Sequence, residues 1–194
     1  QELHENEELR QEEFPITREK IYLAHAGVCP LPRRVQHAIS RYLDGCTRAD
    51  QEFVMPPSWL RETRELAARF LGAKMEEVAF VGPTSLGLSF VAHGLRFRKS
   101  QNVLIYHDDY PSNVYPWMTL ASRGVEVRYL NIRELGVIRP RDVLGQVDEN
   151  TRLVALASCH FLAGFRLDLD ELGRALRERG ILFCVDAIQT LGAF

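Results

Sequence analysis

The sequence has no surplus of positive charge and no long apolar run. Lysine and arginine together number 24, against 26 aspartates and glutamates, so the formal net charge is −2. That balance offers little to neutralise a phosphate backbone and argues against nucleic acid as the main partner. The longest nearly apolar run, residues 153–165, is far shorter than the roughly 18 residues that a membrane span requires. No transmembrane segment is predicted, and we expect no membrane partner.

Cysteine is scarce, and signals for export are missing. The four cysteines, at positions 29, 46, 159 and 184, show no CxxC spacing, which favours a reducing compartment. The first 13 residues carry six glutamates, the opposite of the basic, then apolar, start of a secretory signal. We therefore expect a cytosolic (cytoplasmic) protein. We interpret residues 1–20 as an acidic N-terminal arm, either mobile or a short helix, that carries no chemistry.

What is present is a globular composition, with 46% of residues apolar and 26% charged. From residue 32 onward, apolar runs of strand length alternate with helical patterns, which predicts an α/β fold with a mostly parallel sheet and helices on both faces. The predicted strands are residues 78–81, 103–106, 125–130, 153–157 and 181–185. The predicted helices are residues 33–43, 59–71, 86–95, 114–122 and 169–179.

The last of these helices has the clearest ends. Asp168 and Asp170 open it, and Arg177 and Arg179 precede Gly180. Acidic residues at the start, basic residues at the end and a glycine beyond are typical of a helix.

Ligands of open α/β sheets bind beyond the carboxyl ends of the strands, so residues that carry chemistry are expected in the segments after each strand. Gly82-Pro83-Thr84-Ser85 follows a predicted strand and opens a helix. Two hydroxyls and exposed backbone N–H groups at a helix start predict an anion site. The alternative is that Thr84 or Ser85 simply caps the helix. The segment is neither a Walker A loop nor GxGxxG.

Asp186 ends the last apolar strand, where a carboxylate is costly to bury unless a cation meets it. A protonated ring nitrogen would be such a cation. The alternative is a cap for the following segment. Gln189, three residues on, presents its amide on the same side if that segment turns as a helix.

Tyr110 is held extended by the proline that follows it, and its ring could stack on a planar ligand. The alternative is a tyrosine half-buried at a turn. His107 beside Asp108 and Asp109 could suggest a metal site but lacks a third partner at recognisable spacing, so no metal site is predicted. Cys159 and His160 are adjacent strand residues that point to opposite faces, which argues against a catalytic pair.

Four stretches occur in the same order as in the fold type I pyridoxal-phosphate (PLP) enzymes. They are Tyr22-Leu23-Ala24-His25-Ala26-Gly27, Gly82-Pro83-Thr84-Ser85-Leu86-Gly87-Leu88, Tyr110-Pro111-Ser112-Asn113-Val114 and Val185-Asp186-Ala187-Ile188-Gln189. As an ordered set they resemble the class V aminotransferase and cysteine desulfurase group, across almost the whole chain after residue 20.

The resemblance implies a PLP-transferase-like large domain and a role for each site residue. Thr84 and Ser85 are implied to hold the phosphate, Tyr110 to stack on the cofactor, and Gln189 to hydrogen-bond the ring oxygen. Asp186 is implied to pair with the ring nitrogen, which keeps the ring an electron sink for a substrate carbanion. It also implies an amino-acid substrate and a homodimer.

The family's Schiff-base lysine lies a short way beyond the Asp186-to-Gln189 motif, whereas the lysines here are Lys20, Lys74 and Lys99. The resemblance also implies a small C-terminal domain, which we expect to lie outside these 194 residues. We therefore expect residues 21–194 to be the N-terminal part of the large domain of a longer enzyme, truncated and inactive alone.

The reaction stays open among transamination, desulfuration or elimination, and epimerisation. Cysteine desulfurases carry His where this chain has Tyr110, and Thr-Thr-Glu where it has Thr84-Ser85-Leu86. Two further interpretations are a lysine-less relative that binds cofactor or a partner without turnover, and a nucleotide-binding α/β domain.

Overall fold

The computed structural model describes residues 2–25 and 27–193, and the chain divides into two compact units, Gln1–Phe80 and Val81–Phe194. Ala26, which belongs to the first of the four stretches quoted above, lies outside the described residues. In that described part, no helix combines the length and the apolar composition that crossing a membrane requires.

The first unit is helical. Its α-helices are α1 (Glu2–Glu5), α2 (Glu7–Glu13), α3 (Arg33–Cys46), α4 (Gln51–Val54) and α5 (Pro57–Leu71), and 3-10 turns cover Pro15–Arg18 and Met75–Glu77. The acidic start therefore forms short helices. Asn6 caps α2 because its side-chain oxygen accepts a hydrogen bond from the Leu9 N–H at 3.0 Å. The Glu13 carboxylate accepts a hydrogen bond from Nε of Arg34 at 2.7 Å. That hydrogen bond from Arg34 holds the pKa of Glu13 below its usual value.

The second unit is a four-stranded parallel sheet with helices between the strands, which confirms the predicted α/β class. The strands are β1 (Asn102–Ile105), β2 (Glu126–Tyr129), β3 (Thr151–Ala157) and β4 (Leu182–Asp186), in the spatial order β2-β1-β3-β4. Its α-helices are α6 (Thr84–Gly94), α7 (Tyr115–Met118), α8 (Pro140–Leu144) and α9 (Leu169–Glu178).

Successive strand residues point to opposite sides of the sheet, and each side packs in its own core, so both faces are buried. One core joins strand residues such as Leu104 and Val154 to Leu172 of α9. The other joins Val103 to Leu88 of α6, and also contains Trp117 of α7. Helices on both faces therefore cover the continuous apolar runs that the sequence shows.

Two predicted elements differ from the structure. Residues 78–81 form no strand, although Val78 has extended backbone angles, because no other described segment pairs with them to complete a hydrogen-bonded ladder. The predicted helix at 114–122 is only α7 followed by a 3-10 turn. Within it the hydroxyls of Thr119 and Ser122 donate to backbone carbonyls three residues earlier, a competition that weakens helices.

The ends of α9 agree with the prediction. Asp168 accepts the Glu171 N–H at 2.9 Å as the N-cap. Gly180, just beyond the helix, has a φ of 69°, a left-handed conformation that glycine adopts without strain.

Asp148 connects the amino ends of β1 and β3 and also pairs with Arg128 of the edge strand β2. Its Oδ1 accepts hydrogen bonds from the Asn102 amide, the Asn150 N–H and the Thr151 hydroxyl, each at 3.0 Å, and its Oδ2 pairs with Arg128. Partial desolvation acts to raise the pKa of this carboxyl, but the three hydrogen bonds and Arg128 together lower it below the ordinary value of 3.8.

A lowered pKa means that the ionised carboxylate stabilises the fold above the ordinary value, and that this contribution is lost as pH falls through the folded-state pKa. We expect Asp148→Asn to lower the free energy of unfolding by about 1 kcal/mol at pH 7, since the group is partly exposed. The difference from wild type should close near pH 2. Urea unfolding at both pH values measures it, with Glu149→Gln as the matched change at an exposed neighbour. A difference that persists unchanged in acid contradicts this role.

Candidate functional site

All four strands run the same way, so their carboxyl ends lie along one edge of the sheet. The segments that follow β1, β3 and β4 carry most of the polar residues singled out in the sequence. This edge is the candidate site.

Asp109 fixes the loop after β1 to the end of β3. Its Oδ1 accepts the Tyr110 N–H at 2.7 Å, and its Oδ2 accepts both the Asn113 amide and the Ala157 N–H at 3.0 Å. Burial raises the pKa of Asp109, although the three donors act in the opposite direction. Sequence reasoning considered Asp109 only as a possible metal ligand beside His107 and missed its role in holding this loop. The only sequence signal is a carboxylate directly before Tyr110-Pro111.

Tyr110 projects from that fixed loop, immediately before the 3-10 turn Pro111–Asn113. Its side chain is 49% exposed, and its ring meets the ring of Phe161 edge-on with 5.3 Å between centroids. The half-exposed ring has a held orientation at the edge where a planar ligand would bind. Phe161 was not singled out from the sequence.

Thr84 and Ser85 are the first two residues of α6, and neither caps it. The N-cap is Pro83, which makes no side-chain hydrogen bond to the helix, so the alternative that Thr84 or Ser85 is the cap is wrong. The first turn instead closes through the Leu86 N–H and the Pro83 carbonyl at 2.8 Å. The N–H groups of the first helical residues have no partner within a helix, and two hydroxyls stand beside them. That arrangement is what an anion requires.

Asp186 is the last residue of β4 and is 5% exposed. Its Oδ1 accepts the Ile188 N–H at 3.0 Å, so one oxygen does cap the following segment. Cys184, two residues earlier and therefore on the same face, packs in the core that contains α6. Asp186 thus faces the α6 side of the sheet. Desolvation, with a smaller effect of the Asp186 charge, raises the pKa of Cys184 to about 11, which keeps this thiol protonated.

Gln189 lies in the turn after β4, and its buried Oε1 has no hydrogen-bond partner. Around it the backbone is held. The Ser158 N–H and hydroxyl donate to the Asp186 carbonyl at 2.9 and 3.1 Å, and the same hydroxyl lies 2.6 Å from that of Thr190. A buried amide oxygen without a partner is rare in folded proteins, and a polar ligand would satisfy it.

The predicted site residues therefore lie in one unit, and the segments that follow β1, β3 and β4 meet at one sheet edge. Hydrogen bonds through Ala157 and Ser158 connect the Tyr110 loop to the end of β4. The α6 helix packs against the turn that follows Tyr110. Within the described residues, no hydrogen bond joins Thr84 or Ser85 directly to Asp186 or Gln189.

Two other motifs do not form reactive centres. The His107 ring meets the Tyr129 ring edge-on, and its Nδ1 lies 3.4 Å from Oδ1 of Asp108. Over residues 2–25 and 27–193 no three metal-ligating side chains converge. The Cys159 thiol faces the His160 carbonyl, while the His160 ring nitrogens bind the backbone of Asp108 and Ala163. Cys159 and His160 therefore do not act on each other.

Comparison with known proteins identifies the fold. A sequence model described as aminotransferase class-V matches residues 21–194. The chain is 35% identical over 191 residues to a probable cysteine desulfurase of Methanothermobacter thermautotrophicus, covering 96% of this chain and 48% of that protein.

Solved structures agree. The apo cysteine desulfurase from Thermococcus onnurineus NA1 superposes with a TM-score of 0.75 at 26% identity, covering 93% of this chain and 47% of that one. A C-DES mutant with glycine covalently linked to its PLP cofactor has a TM-score of 0.79 at 18% identity, covering 95% and 51%, and shows the fold alone. The chain spans about half the length of the relatives it matches.

Proposed function

The chain belongs to the aminotransferase class-V family, and on that premise we propose that it binds pyridoxal 5′-phosphate as part of an enzyme acting on an amino acid. The reaction class is transamination, desulfuration or elimination, or epimerisation. The observation that carries the proposal is the buried, unpartnered amide oxygen of Gln189 three residues after the buried carboxylate of Asp186. Two buried polar groups at a ligand-binding edge fit a polar aromatic ring.

The described residues fit the cofactor part by part. The Thr84 and Ser85 hydroxyls, with the N–H groups at the start of α6, suit a phosphate. The exposed Tyr110 ring suits a stacked pyridine. When bound, PLP supplies an electron sink for negative charge that develops on the substrate α-carbon.

The role of Asp186 follows from its burial. A carboxylate that is 5% exposed stabilises a positive charge beside it far more than one in water does. In our proposal it keeps the ring nitrogen protonated, and Gln189 uses its amide to orient the ring. Tyr110 covers the ring and excludes water from one side.

The chain's lysines decide whether PLP can attach covalently, and their positions lead to a second candidate function. Lys99 precedes β1 and so lies towards the amino ends of the strands, the opposite edge from Asp186. Lys20 and Lys74 belong to the first unit. We propose that the chain alone binds PLP without covalent attachment and is inactive, either as part of a longer enzyme or as a non-catalytic cofactor-binding relative.

Competition between two ligands tests the phosphate site. We expect pyridoxal 5′-phosphate to bind at least about tenfold more tightly than pyridoxal, because charge-assisted hydrogen bonds are worth about 1.5–3 kcal/mol each. Thr84→Val combined with Ser85→Ala should reduce that preference, because only the backbone N–H groups at the start of α6 then remain for the phosphate, and should leave pyridoxal binding within about twofold. Equilibrium dialysis measures both ligands, and Ser122→Ala, in a remote 3-10 turn, is the control.

Equal affinity of the wild-type chain for the two ligands contradicts the phosphate site. Borohydride treatment followed by mass spectrometry checks attachment. A stable adduct at one lysine contradicts the non-covalent part of the proposal.

We also propose that the chain forms a homodimer through its apolar helices. In the first unit, α5 exposes the large apolar side chains of Trp59, Leu66 and Phe70. Monomeric proteins rarely leave a contiguous apolar surface of this kind exposed to water. Sedimentation equilibrium should show a mass that rises with protein concentration from 22.2 kDa towards twice that value. A single 22.2 kDa species at high concentration contradicts the dimer.

A further inference from the structure

His160 is a buried polar residue that the proposed site does not use. It lies three residues beyond the end of β3 and is 4% exposed. Both ring nitrogens have partners: Nδ1 lies 3.1 Å from the Ala163 N–H, and Nε2 lies 3.0 Å from the Asp108 carbonyl oxygen. A backbone N–H can only donate and a carbonyl can only accept, so Nδ1 accepts and Nε2 donates. The geometry therefore selects the neutral tautomer with its proton on Nε2.

The ring is also held from the side. A Cβ added to Gly136 would lie 2.2 Å from Nδ1 of His160, and Gly136 has a φ of 71°, so no other residue fits there without displacing the ring. The Gly136 N–H donates to the Tyr106 hydroxyl at 3.1 Å, and the Tyr106 ring lies 5.8 Å from that of His160. The imidazole thus has one position and one orientation.

The hydrogen bond made by Nε2 connects His160 to the loop that carries Tyr110. The Asp108 carbonyl is two residues before Tyr110, in the loop that Asp109 also fixes. The next residue in the chain is Phe161, and its ring packs edge-on against the ring of Tyr110. One side chain therefore holds both the loop that carries Tyr110 and the loop that carries the ring packed against it.

We propose that His160 is a positioning residue that sets the orientation of the Tyr110 ring by donating its Nε2 proton to the Asp108 carbonyl. The proposal rests on the proposed function in that the Tyr110 ring is taken to stack on PLP. His160 itself touches no cofactor.

Replacing His160 by glutamine or by asparagine distinguishes the hydrogen bond of Nε2 from that of Nδ1. The amide nitrogen of His160→Gln can reach the place of Nε2 and still donate to Asp108. The amide oxygen of His160→Asn replaces only Nδ1 and keeps only the Ala163 contact. A purely structural role treats the two variants alike, whereas positioning through Nε2 distinguishes them.

The first readout needs no ligand. In the 194-residue chain, amide hydrogen exchange at Tyr110 and Ala157 should rise at least tenfold in His160→Asn and return to within threefold of wild type in His160→Gln. Exchange at Leu104 and Val154, in the sheet centre, should not change in either. The ¹⁵N shifts of the wild-type ring, which need no variant, should show the proton on Nε2. A proton on Nδ1, or equal exchange in the two variants, overturns the proposal.

The second readout uses PLP. Its dissociation constant should rise about tenfold in His160→Asn and be restored in His160→Gln, and its induced circular dichroism should weaken in the same order. Unchanged PLP binding in His160→Asn, with a mobile Tyr110 loop, also overturns the proposal. If the wild-type chain does not bind PLP but the exchange pattern is as expected, the proposed function is contradicted. The control of the Tyr110 loop by His160 is then still supported.

Discussion

Replacing Asp109 by alanine is expected to lower the free energy of unfolding of the second unit by about 3 kcal/mol at pH 7. The substitution removes the acceptor for three donors, and two of them, the Asn113 amide and the Ala157 N–H, belong to buried residues. Each buried donor left without a partner costs about 1–3 kcal/mol, and relief from burying a carboxylate offsets part of the sum. The melting temperature should fall by about 6–12 °C.

The pH dependence at Asp109 has the opposite sign to that at Asp148. A pKa raised in the folded state means that the folded protein binds the proton more tightly than the unfolded one. Wild-type stability from this group therefore grows as pH falls from the folded-state pKa towards 3.8. The gap between wild type and Asp109→Ala should widen in acid, whereas that for Asp148→Asn should close.

Urea unfolding across pH, monitored by circular dichroism, measures both gaps. Glu134→Ala, at an exposed carboxylate in the loop after β2, is the control and should change stability by less than about 0.5 kcal/mol. A cost below about 1 kcal/mol for Asp109→Ala would show that the carboxylate does not hold the Tyr110 loop.

Asp186→Asn is expected to change the protonation of bound PLP more than its affinity. The amide keeps the size of the carboxylate and an oxygen for the Ile188 N–H, but it loses the negative charge beside the ring nitrogen. An opposite charge at close range shifts a pKa by about 1–3 units, so the pKa of the bound ring nitrogen should fall by that amount. Weaker electron withdrawal by the ring follows directly.

The absorbance of the bound cofactor, titrated with pH, measures this shift. Asp170→Asn is the matched control, since Asp170 is an exposed carboxylate at the start of α9. An Asp186→Asn titration that overlays the wild-type curve removes Asp186 from its proposed role.

Local patterns predicted much of the second unit. Buried parallel strands read as near-continuous apolar runs, so β1, β3 and β4 were placed within two residues. The ends of α9 follow from charges and a glycine that act within a few residues. Residues 78–81 have the same apolar character, yet a strand also needs a neighbour, and sequence composition does not specify pairing.

The candidate site was predictable in outline but not in its supports. Position after a predicted strand, side-chain chemistry and the order of the motifs together marked Thr84, Ser85, Tyr110, Asp186 and Gln189. Asp109 and His160 depend on contacts 48 and 52 residues away along the chain, and no local pattern carries those. The assignment of Thr84 or Ser85 as a cap failed because Pro83 occupies the N-cap position, which composition does not reveal.

The central claim is that PLP binds at the carboxyl edge of this sheet, and amide chemical-shift mapping tests it most directly. On adding PLP to the ¹⁵N-labelled chain, we expect saturable shifts at Thr84, Ser85, Tyr110 and Gln189. A competing location exists at the amino edge, where a cleft of about 350 Å³ is lined by Arg98, Lys99 and Arg123 and could attract a phosphate by charge alone. Shifts confined to that cleft, or no saturable shifts at all, would contradict the account.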